Sequence, residues 1–449
     1  MIGGGPGGYS AAIAGAKAGL KTALFENTHL GGTCLNEGCI PTKYLADKAE
    51  AIERVRELTK SDIFRDPGFF SFRKIQEGKR AVSGKLVDGV RFLLGKAGVK
   101  LISGEAVLES GKLVACGGAE YEAENIIIAT GAKPIMLDVP GREYCVDSTA
   151  ALNFETLPDS MVVIGGGVIG LEMASAFSAY GCRVEILELA EELISGGEPE
   201  AVRYVLSSMK KHGIALHTGA RLLRVEKAGE LLLAAYEENG QQRQAEARQV
   251  LMAVGRSAEL TGIDAERLGL ALDEKGFIRT DDSMRTNLAG VYAIGDVAGG
   301  MQLASIAYAQ AHTALSSILG HVMAEDAAPV PTCIHTLPCY ASVGLSSTAA
   351  REQNVDAVVG SFSYGANGMA LAQGAAGSIY AVMDRQSKRT LGVTIVGEGA
   401  AEMIAFAART VAEGLSLEQW ERAVITHPSL SEMLREAALD AFGKSVHKA

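Results

Sequence analysis

Through residues 1–300 the chain alternates short apolar runs with helical segments. Ile126-Ile127-Ile128, Met161 to Ile164 and Val184 to Leu187 are such runs. Strands alternating with helices predict parallel sheets of the doubly wound kind. After Val330 the pattern changes. Short strand-like runs appear at Ser342-Val343-Gly344, Ala357-Val358-Val359 and Leu391 to Val396, and the pattern turns helical from Ala401 onward. A separate α+β domain is expected there.

Two glycine-rich segments punctuate the first pattern, Gly3-Gly4-Gly5-Pro6-Gly7-Gly8 and Gly165-Gly166-Gly167-Val168-Ile169-Gly170. Each opens a helical stretch. Glu26 follows Gly8 by 18 positions, and Glu188 follows Gly170 by 18. Glycines at positions one, three and six (Gly3, Gly5, Gly8; Gly165, Gly167, Gly170) allow a tight turn, close backbone approach to a pyrophosphate and close helix–strand packing. The helix N-terminus offers free N–H groups to the phosphates, and the later acid can accept from ribose hydroxyls. One copy alone is weak evidence, since it also reads as a flexible glycine turn. Two copies with matched acids predict two nucleotide-binding units of related design. Glu188 is followed by Leu189-Ala190-Glu191-Glu192, with no arginine for a 2′-phosphate, which favours NAD over NADP.

The strand before the second loop has Met161 to Ile164, but only Met1 and Ile2 precede the first. A strand normally runs about 5–6 residues, and this one belongs at the centre of its sheet. The natural chain is therefore expected to start upstream. The alternative is a badly shortened central strand that weakens cofactor binding.

Composition narrows the class. The 449 residues leave room for about three domains. Hydrophobic residues make up 48% and charged residues 21%, as in soluble globular proteins. We find no apolar run of about 18 residues and no basic leader, so no membrane span or targeting segment is expected. The net charge of −11 argues against a nucleic-acid surface, which needs clustered Lys and Arg. The seven cysteines are odd in number and scattered, at 34, 39, 116, 145, 182, 333 and 339. That argues against a secreted disulfide scaffold and fits a reducing cytoplasm better, with any intrachain disulfide being catalytic.

The chemistry concentrates in Gly31-Gly32-Thr33-Cys34-Leu35-Asn36-Glu37-Gly38-Cys39-Ile40-Pro41-Thr42-Lys43. Two cysteines in a glycine-containing stretch lead into a helix, whose N-terminus lowers cysteine pKa. Such a dithiol can exchange with a substrate disulfide. The competing readings are two buried thiols or half a metal site, but no second pair with zinc-like spacing appears. Cys333 and Cys339, in another segment, read as ordinary thiols, and His212, His217, His312 and His335 as structural.

This segment closely resembles the active-site motif of the dihydrolipoamide dehydrogenase family, within the class I pyridine nucleotide–disulfide oxidoreductases, and the resemblance covers nearly the whole chain. It implies an α/β protein with two Rossmann-like FAD- and NAD-binding domains plus a C-terminal α+β dimerisation domain. The expected divisions are 1–144 (FAD, first strand short), 145–264 (NAD), 265–329 (central, completing the FAD site) and 330–449 (interface).

For FAD, the resemblance implies Gly3, Gly5, Gly8, Glu26, Gly32, Thr33, Lys43, the turn Ala129-Thr130-Gly131, and Asp296 in the motif from Thr286 through Gly290-Val291-Tyr292-Ala293-Ile294-Gly295. Asp296 would hold the ribityl chain, with Gln302, Leu303, Ala304 and Ser305 against the flavin and Ala106 as a backbone contact. For NAD it implies Gly165, Gly167, Val168, Ile169, Gly170, Glu188, Leu222 and Gly255. Cys34 would be the interchange thiol facing substrate and Cys39 the thiol beside the flavin. Lys43 would sit near the flavin, paired with Glu172. Each also reads as an ordinary charge on a helix surface.

Thr426-His427-Pro428-Ser429-Leu430-Ser431-Glu432 matches the family's C-terminal motif. His427 would be the base for the substrate dithiol and Glu432 would orient it. Ser429 to Glu432 also reads as a capping box opening a helix. The chain departs from the family pattern at Ala304-Ser305, where a His is usual, at Gly196-Gly197-Glu198, and at Pro338-Cys339-Tyr340, usually Pro-Glu-Val.

The resemblance implies a homodimer in which His427 and Glu432 serve the partner's site, and electrons passing from a lipoyl dithiol through the cysteines and FAD to NAD. The protein partner would be the lipoyl-bearing component of a 2-oxoacid dehydrogenase or glycine cleavage system. The alternatives are a related flavin disulfide reductase acting on another small disulfide, or a non-catalytic assembly subunit that keeps the fold.

Overall fold

The computed structural model describes residues 1–66, 68–321 and 328–448. Residue 67, residues 322–327 of the expected central unit and the last residue therefore lie outside the described residues.

Met1 and Ile2 occupy the middle of the first parallel sheet. Ile2 bridges Phe25 on one side and Ile128 on the other. Its N–H donates to Ile127 O at 2.9 Å, and Gly3 N–H donates to Phe25 O at 2.9 Å. This short segment joins the pair Ala23–Glu26 and Lys100–Ser103 to the pair Ile126–Ile128 and Val291–Ala293. The first sheet is thus completed by a strand arriving from beyond residue 290, immediately before Asp296.

The second sheet is parallel throughout, in the order Ala215–His217, Arg183–Leu187, Ser160–Ile164, Gln249–Met252. Every residue of Ser160–Ile164 is buried. A strand covered on both faces reads as an unbroken apolar run, which is what the sequence displays there. Two antiparallel three-stranded sheets accompany these. One is Ala106–Ser110, Leu113–Cys116 and Ala119–Glu122; the other is Ala220–Ala228, Leu231–Glu238 and Gln241–Ala247.

The last sheet has five antiparallel strands, in the order Thr332–Ile334, Tyr340–Gly344, Thr390–Gly397, Gly377–Asp384, Ala357–Ser363. Helices Ala400–Ala412 and Glu432–Asp440 pack on it. Trp420 is fully buried in this core, and its indole N–H donates to Thr390 Oγ1 at 2.9 Å. Burying the ring leaves no donor unpaired.

One packing contact positions the site. Helix Cys39–Lys60 lies against helix Val168–Ala179. Leu45 and Ala49 from the first share a core with Met173 and Phe177 from the second and with Ile334 and Tyr340 from the last sheet. Among the described residues no helix is long and apolar enough to cross a membrane.

Candidate active site

The two glycine loops are built alike. Gly3 and Gly165 have φ of +100° and +103°, the left-handed side that only glycine adopts freely. A Cβ on Gly8 would lie 1.8 Å from Gly3 O, and one on Gly170 2.0 Å from Gly165 O. The matched acids dock alike as well. Gly4 N–H donates to Glu26 Oε2 at 2.7 Å and Thr28 N–H to Oε1 at 2.8 Å. Gly166 N–H donates to Glu188 Oε2, and Ala190 N–H to Oε1 at 2.7 Å. A carboxylate has about four acceptor positions, so each acid fixes its loop and keeps lone pairs for a ribose. Helices Pro6–Lys17 and Val168–Ala179 both start without a side-chain cap, leaving N–H groups for an anion.

A cavity of about 470 Å³ opens beside the first loop. Its wall gathers Gly3, Gly5, Glu26, Gly32, Thr33, Cys34, Cys39, Lys43, Ala106, Thr130, Gly131, Asp296, Gln302, Leu303, Ala304, Val168, Ile169 and Glu172. Gly8 is buried behind the loop. Ser305, expected against the flavin, is exposed and absent from the wall; as the second residue of helix Ala304–Ile318 it is turned outward. Gly165, Gly167, Gly170 and Glu188 belong to the second loop, and Gly255 has a φ of +123°. Leu222 is buried in the core with Val162 and Ile164. The wall fits FAD: a cradle where a Cβ on Gly4 would stand 2.8 Å from Glu26 Oε2 suits the adenosine end, and a dithiol suits the flavin end.

Cys34 sits in helix Gly32–Asn36, and Cys39 is the first residue of helix Cys39–Lys60. The interaction between the two neighbouring thiols is the largest cause of their divergence. It pushes Cys39 down to about 7, helped by the Lys43 charge and a backbone N–H at the helix start, against burial. It pushes Cys34 up, with burial adding. The pair thus shares one proton, held on Cys34.

Lys43 is one turn beyond Cys39 on the same helix face. Its Nζ donates to both carboxylate oxygens of Glu172, at 2.9 and 2.8 Å. Glu172 is buried and also accepts His335 N–H at 2.8 Å. Three charge-assisted bonds satisfy a carboxylate that would otherwise be costly to bury.

Sequence reasoning missed Arg256. It lines the cavity, and its Nη2 donates to Ala132 O. Its buried Nε has no partner among the described residues. Burial pushes its guanidinium pKa down, opposed by Asp296 and Glu37. Burial likewise raises the Asp296 carboxyl, opposed by Arg256. The only signal in the sequence was its place after Gly255. Cys333, read as an ordinary thiol, also lines the cavity.

His427 and Glu432 come together away from this wall. His427 Nδ1 lies 2.8 Å from Glu432 Oε1, and the histidine side chain is 80% exposed. Burial acts most strongly on Glu432, pushing it up. The Ser429 N–H bond (2.9 Å) and the His427 bond outweigh it, and the carboxyl ends below its usual value. Only half of the expected capping box forms. The helix starts at Glu432 with Ser431 as N-cap, and Ser429 Oγ has no partner among the described residues. Glu432 is therefore committed to the histidine and to one backbone donor.

Residues 1–311 match the family described as pyridine nucleotide-disulphide oxidoreductase, and residues 330–438 match its dimerisation domain. The chain is 35% identical to a dihydrolipoyl dehydrogenase of Bacillus subtilis, covering 100% of this chain and 99% of the relative. It is 34% identical to one from Geobacillus stearothermophilus, covering 100% and 96%. Among solved structures, the HOCl-induced flavoprotein disulfide reductase RclA from Escherichia coli superposes with a TM-score of 0.89 at 27% identity, covering 97% of this chain and 98% of that one.

Proposed function

The chain belongs to the pyridine nucleotide-disulphide oxidoreductase family, and from that premise we propose that it is an NAD-dependent dihydrolipoyl dehydrogenase. It oxidises a lipoyl dithiol through Cys34 and Cys39 with FAD and NAD as cofactors. The observation that carries this reading is one cavity wall that holds the Cys34–Cys39 pair, the Lys43–Glu172 pair and the start of the second glycine-loop helix at Val168 and Ile169.

In the oxidised enzyme the two cysteines form a disulfide. His427, supplied by the partner of a homodimer, takes a proton from the substrate dithiol, and Glu432 stabilises the resulting imidazolium. The substrate thiolate attacks Cys34 Sγ. The Cys34–Cys39 bond breaks, and Cys39 departs as a thiolate. Its pKa of about 7 makes it the better leaving group of the pair, because a low-pKa thiol leaves faster. The second substrate thiol gives its proton to solvent and attacks the substrate sulfur of the mixed disulfide, closing the cyclic disulfide and releasing Cys34 as a thiolate, which takes the proton held by His427. FAD bound against Cys39 would supply the two-electron carrier between this dithiol and NAD. Exposure of His427 outside its own chain's cavity supports the shared site.

We further propose that the protein works in the cytoplasm as four units (1–144, 145–264, 265–329 and 330–449), serving the lipoyl-bearing protein of a 2-oxoacid dehydrogenase or glycine cleavage system. Glu188, with Glu191 and Glu192 close behind, disfavours a 2′-phosphate and hence NADP. The test is turnover by purified, FAD-loaded protein. NADH formation from dihydrolipoamide, much faster than NADPH formation, is expected. Faster reduction of glutathione or trypanothione disulfides with NADPH overturns the assignment. Cys34→Ser should keep FAD and lose dithiol turnover.

A further inference from the structure

A second sulfur cluster adjoins Glu172, whose Oε1 accepts from both Lys43 Nζ and His335 N–H. Strand Thr332–Ile334 pairs antiparallel with Tyr340–Gly344, placing Cys333 opposite Ala341 and Ile334 opposite Tyr340. Continued one step, that register sets 335 opposite 339. Side chains alternate across a strand, so 333, 335 and 339 share a face, while Ile334 and Tyr340 turn into the core. Cys333 Sγ and Cys339 Sγ are 3.3 Å apart. These sulfurs and a ring nitrogen of His335 all lie within 4.8 Å of one another, and all three residues are half-buried.

The hairpin is held from outside. His335 N–H donates to Glu172 Oε1 at 2.8 Å and Leu337 N–H to Ser175 Oγ at 2.9 Å. Both anchors belong to helix Val168–Ala179. A donor set fixed in this way before any ligand arrives loses little freedom on binding.

We propose that Cys333, His335 and Cys339 form a binding site for a thiophilic d¹⁰ cation, Zn(II) or Cu(I). Two sulfurs and an imidazole are soft and borderline donors, which such ions prefer and which Mg(II) or Ca(II) do not. Bonds of about 2.3 Å to a tetrahedral zinc set two sulfurs about 3.8 Å apart, so the pair needs to open only slightly. Three protein ligands leave one coordination position for an external ligand. Cys333 forms part of the cavity wall, so that position is within reach of small molecules entering the cavity. The proposal is independent of the dehydrogenase reading.

The test uses the full-length, FAD-loaded Cys34→Ser/Cys39→Ser protein, so that the other cysteine pair takes no metal. Reduced with a phosphine and treated anaerobically with Zn(II), it should retain one zinc per chain through gel filtration. Co(II) in place of Zn(II) should give a thiolate-to-cobalt absorption band. Adding Cys333→Ser should abolish both signals, and His335→Ala should weaken them, with flavin absorbance reporting the fold. Should Cys333→Ser lose its flavin, Zn(II) protection of Cys333 and Cys339 against iodoacetamide reads the same site without a substitution. A parallel titration with Cu(I) decides between the two ions. Zinc retention unaffected by Cys333→Ser overturns the proposal. So does a reduced parent that retains neither ion and closes a Cys333–Cys339 disulfide in air, which would make the cluster a second dithiol.

Discussion

Gly170→Ala adds one methyl group where the second loop crosses its helix. The new Cβ would stand 2.0 Å from Gly165 O, 3.1 Å from Gly165 C and 3.3 Å from Val163 Cγ1. Ordinary contacts lie near 3.5 Å or beyond, so about 1 Å or more must be recovered. The obstacle is backbone, and no rotamer change relieves it. Gly165 has little room to turn away, because its N–H is tied to Leu187 O at 2.9 Å. The start of helix Val168–Ala179 must move instead, taking the phosphate-facing N–H groups with it. Overpacking of this kind costs about 1–3 kcal/mol. At about 1.4 kcal/mol per decade, NAD affinity should fall about 5- to 150-fold. FAD content should change less, because the loop facing its pyrophosphate lies on another element, although Val168, Ile169 and Glu172 line the same cavity. The assay is an NAD titration at saturating dihydrolipoamide, with flavin absorbance read on the same sample. Gly8→Ala is the mirror experiment: its Cβ meets Gly3 O at 1.8 Å, and it should lose FAD. If Gly170→Ala keeps both its flavin and its KM for NAD within about twofold, close helix–loop packing does not position the nucleotide and the reasoning fails.

Mixing Cys34→Ser and His427→Gln chains should restore activity that neither has alone. In a hybrid dimer one shared site keeps an intact cysteine pair and an intact histidine, so random pairing gives about a quarter of parental activity; no recovery would mean that each site uses its own histidine. Glu432→Ala removes the 2.8 Å partner of His427; dithiol turnover should fall on the order of 10²-fold, while NADH oxidation by ferricyanide, which bypasses the base, should hold. Cys39, lowered from 9.0 to about 7, is a thiolate above that pH in the reduced enzyme. Its folded pKa is depressed, so its contribution to stability is present above 9.0 and lost as pH falls through about 7. The long-wavelength absorbance of the reduced protein should fade across the same window on acidification, and a midpoint near 9.0 would refute the assignment.

Physical conditions decided which parts of the fold were legible. Ser160–Ile164 and Ile126–Ile128 are buried at every position, and such strands announce themselves as apolar runs. Met1 and Ile2 looked too short for a central strand, yet Ile2 is tied to neighbours on both sides. The antiparallel additions gave no comparable signal. Gln241–Ala247 has five of its seven residues exposed and is polar almost throughout. It is a strand because Leu231–Glu238 offers it a hydrogen-bonding edge, and a partner's edge leaves no mark in a strand's own sequence.

The site divides along the same line. Cys34, Cys39 and the glycine loops were legible because each function depends on residues a few positions apart, and local backbone geometry carries it. Lys43 and Glu172 are 129 positions apart, and only the register of their motifs pointed to a pair. Their contact is made by two helices packing through Leu45, Ala49, Met173 and Phe177. Arg256 and the Cys333–His335–Cys339 cluster had no such register to follow. The cluster depends on a strand pairing that turns three residues to one face, and a slip of one position would send Cys339 to the other side. Read along the chain, these are two thiols with five residues between them. The hairpin register, fixed by the burial of Ile334 and Tyr340 and by the bonds to Glu172 and Ser175, is what makes them a set of ligands.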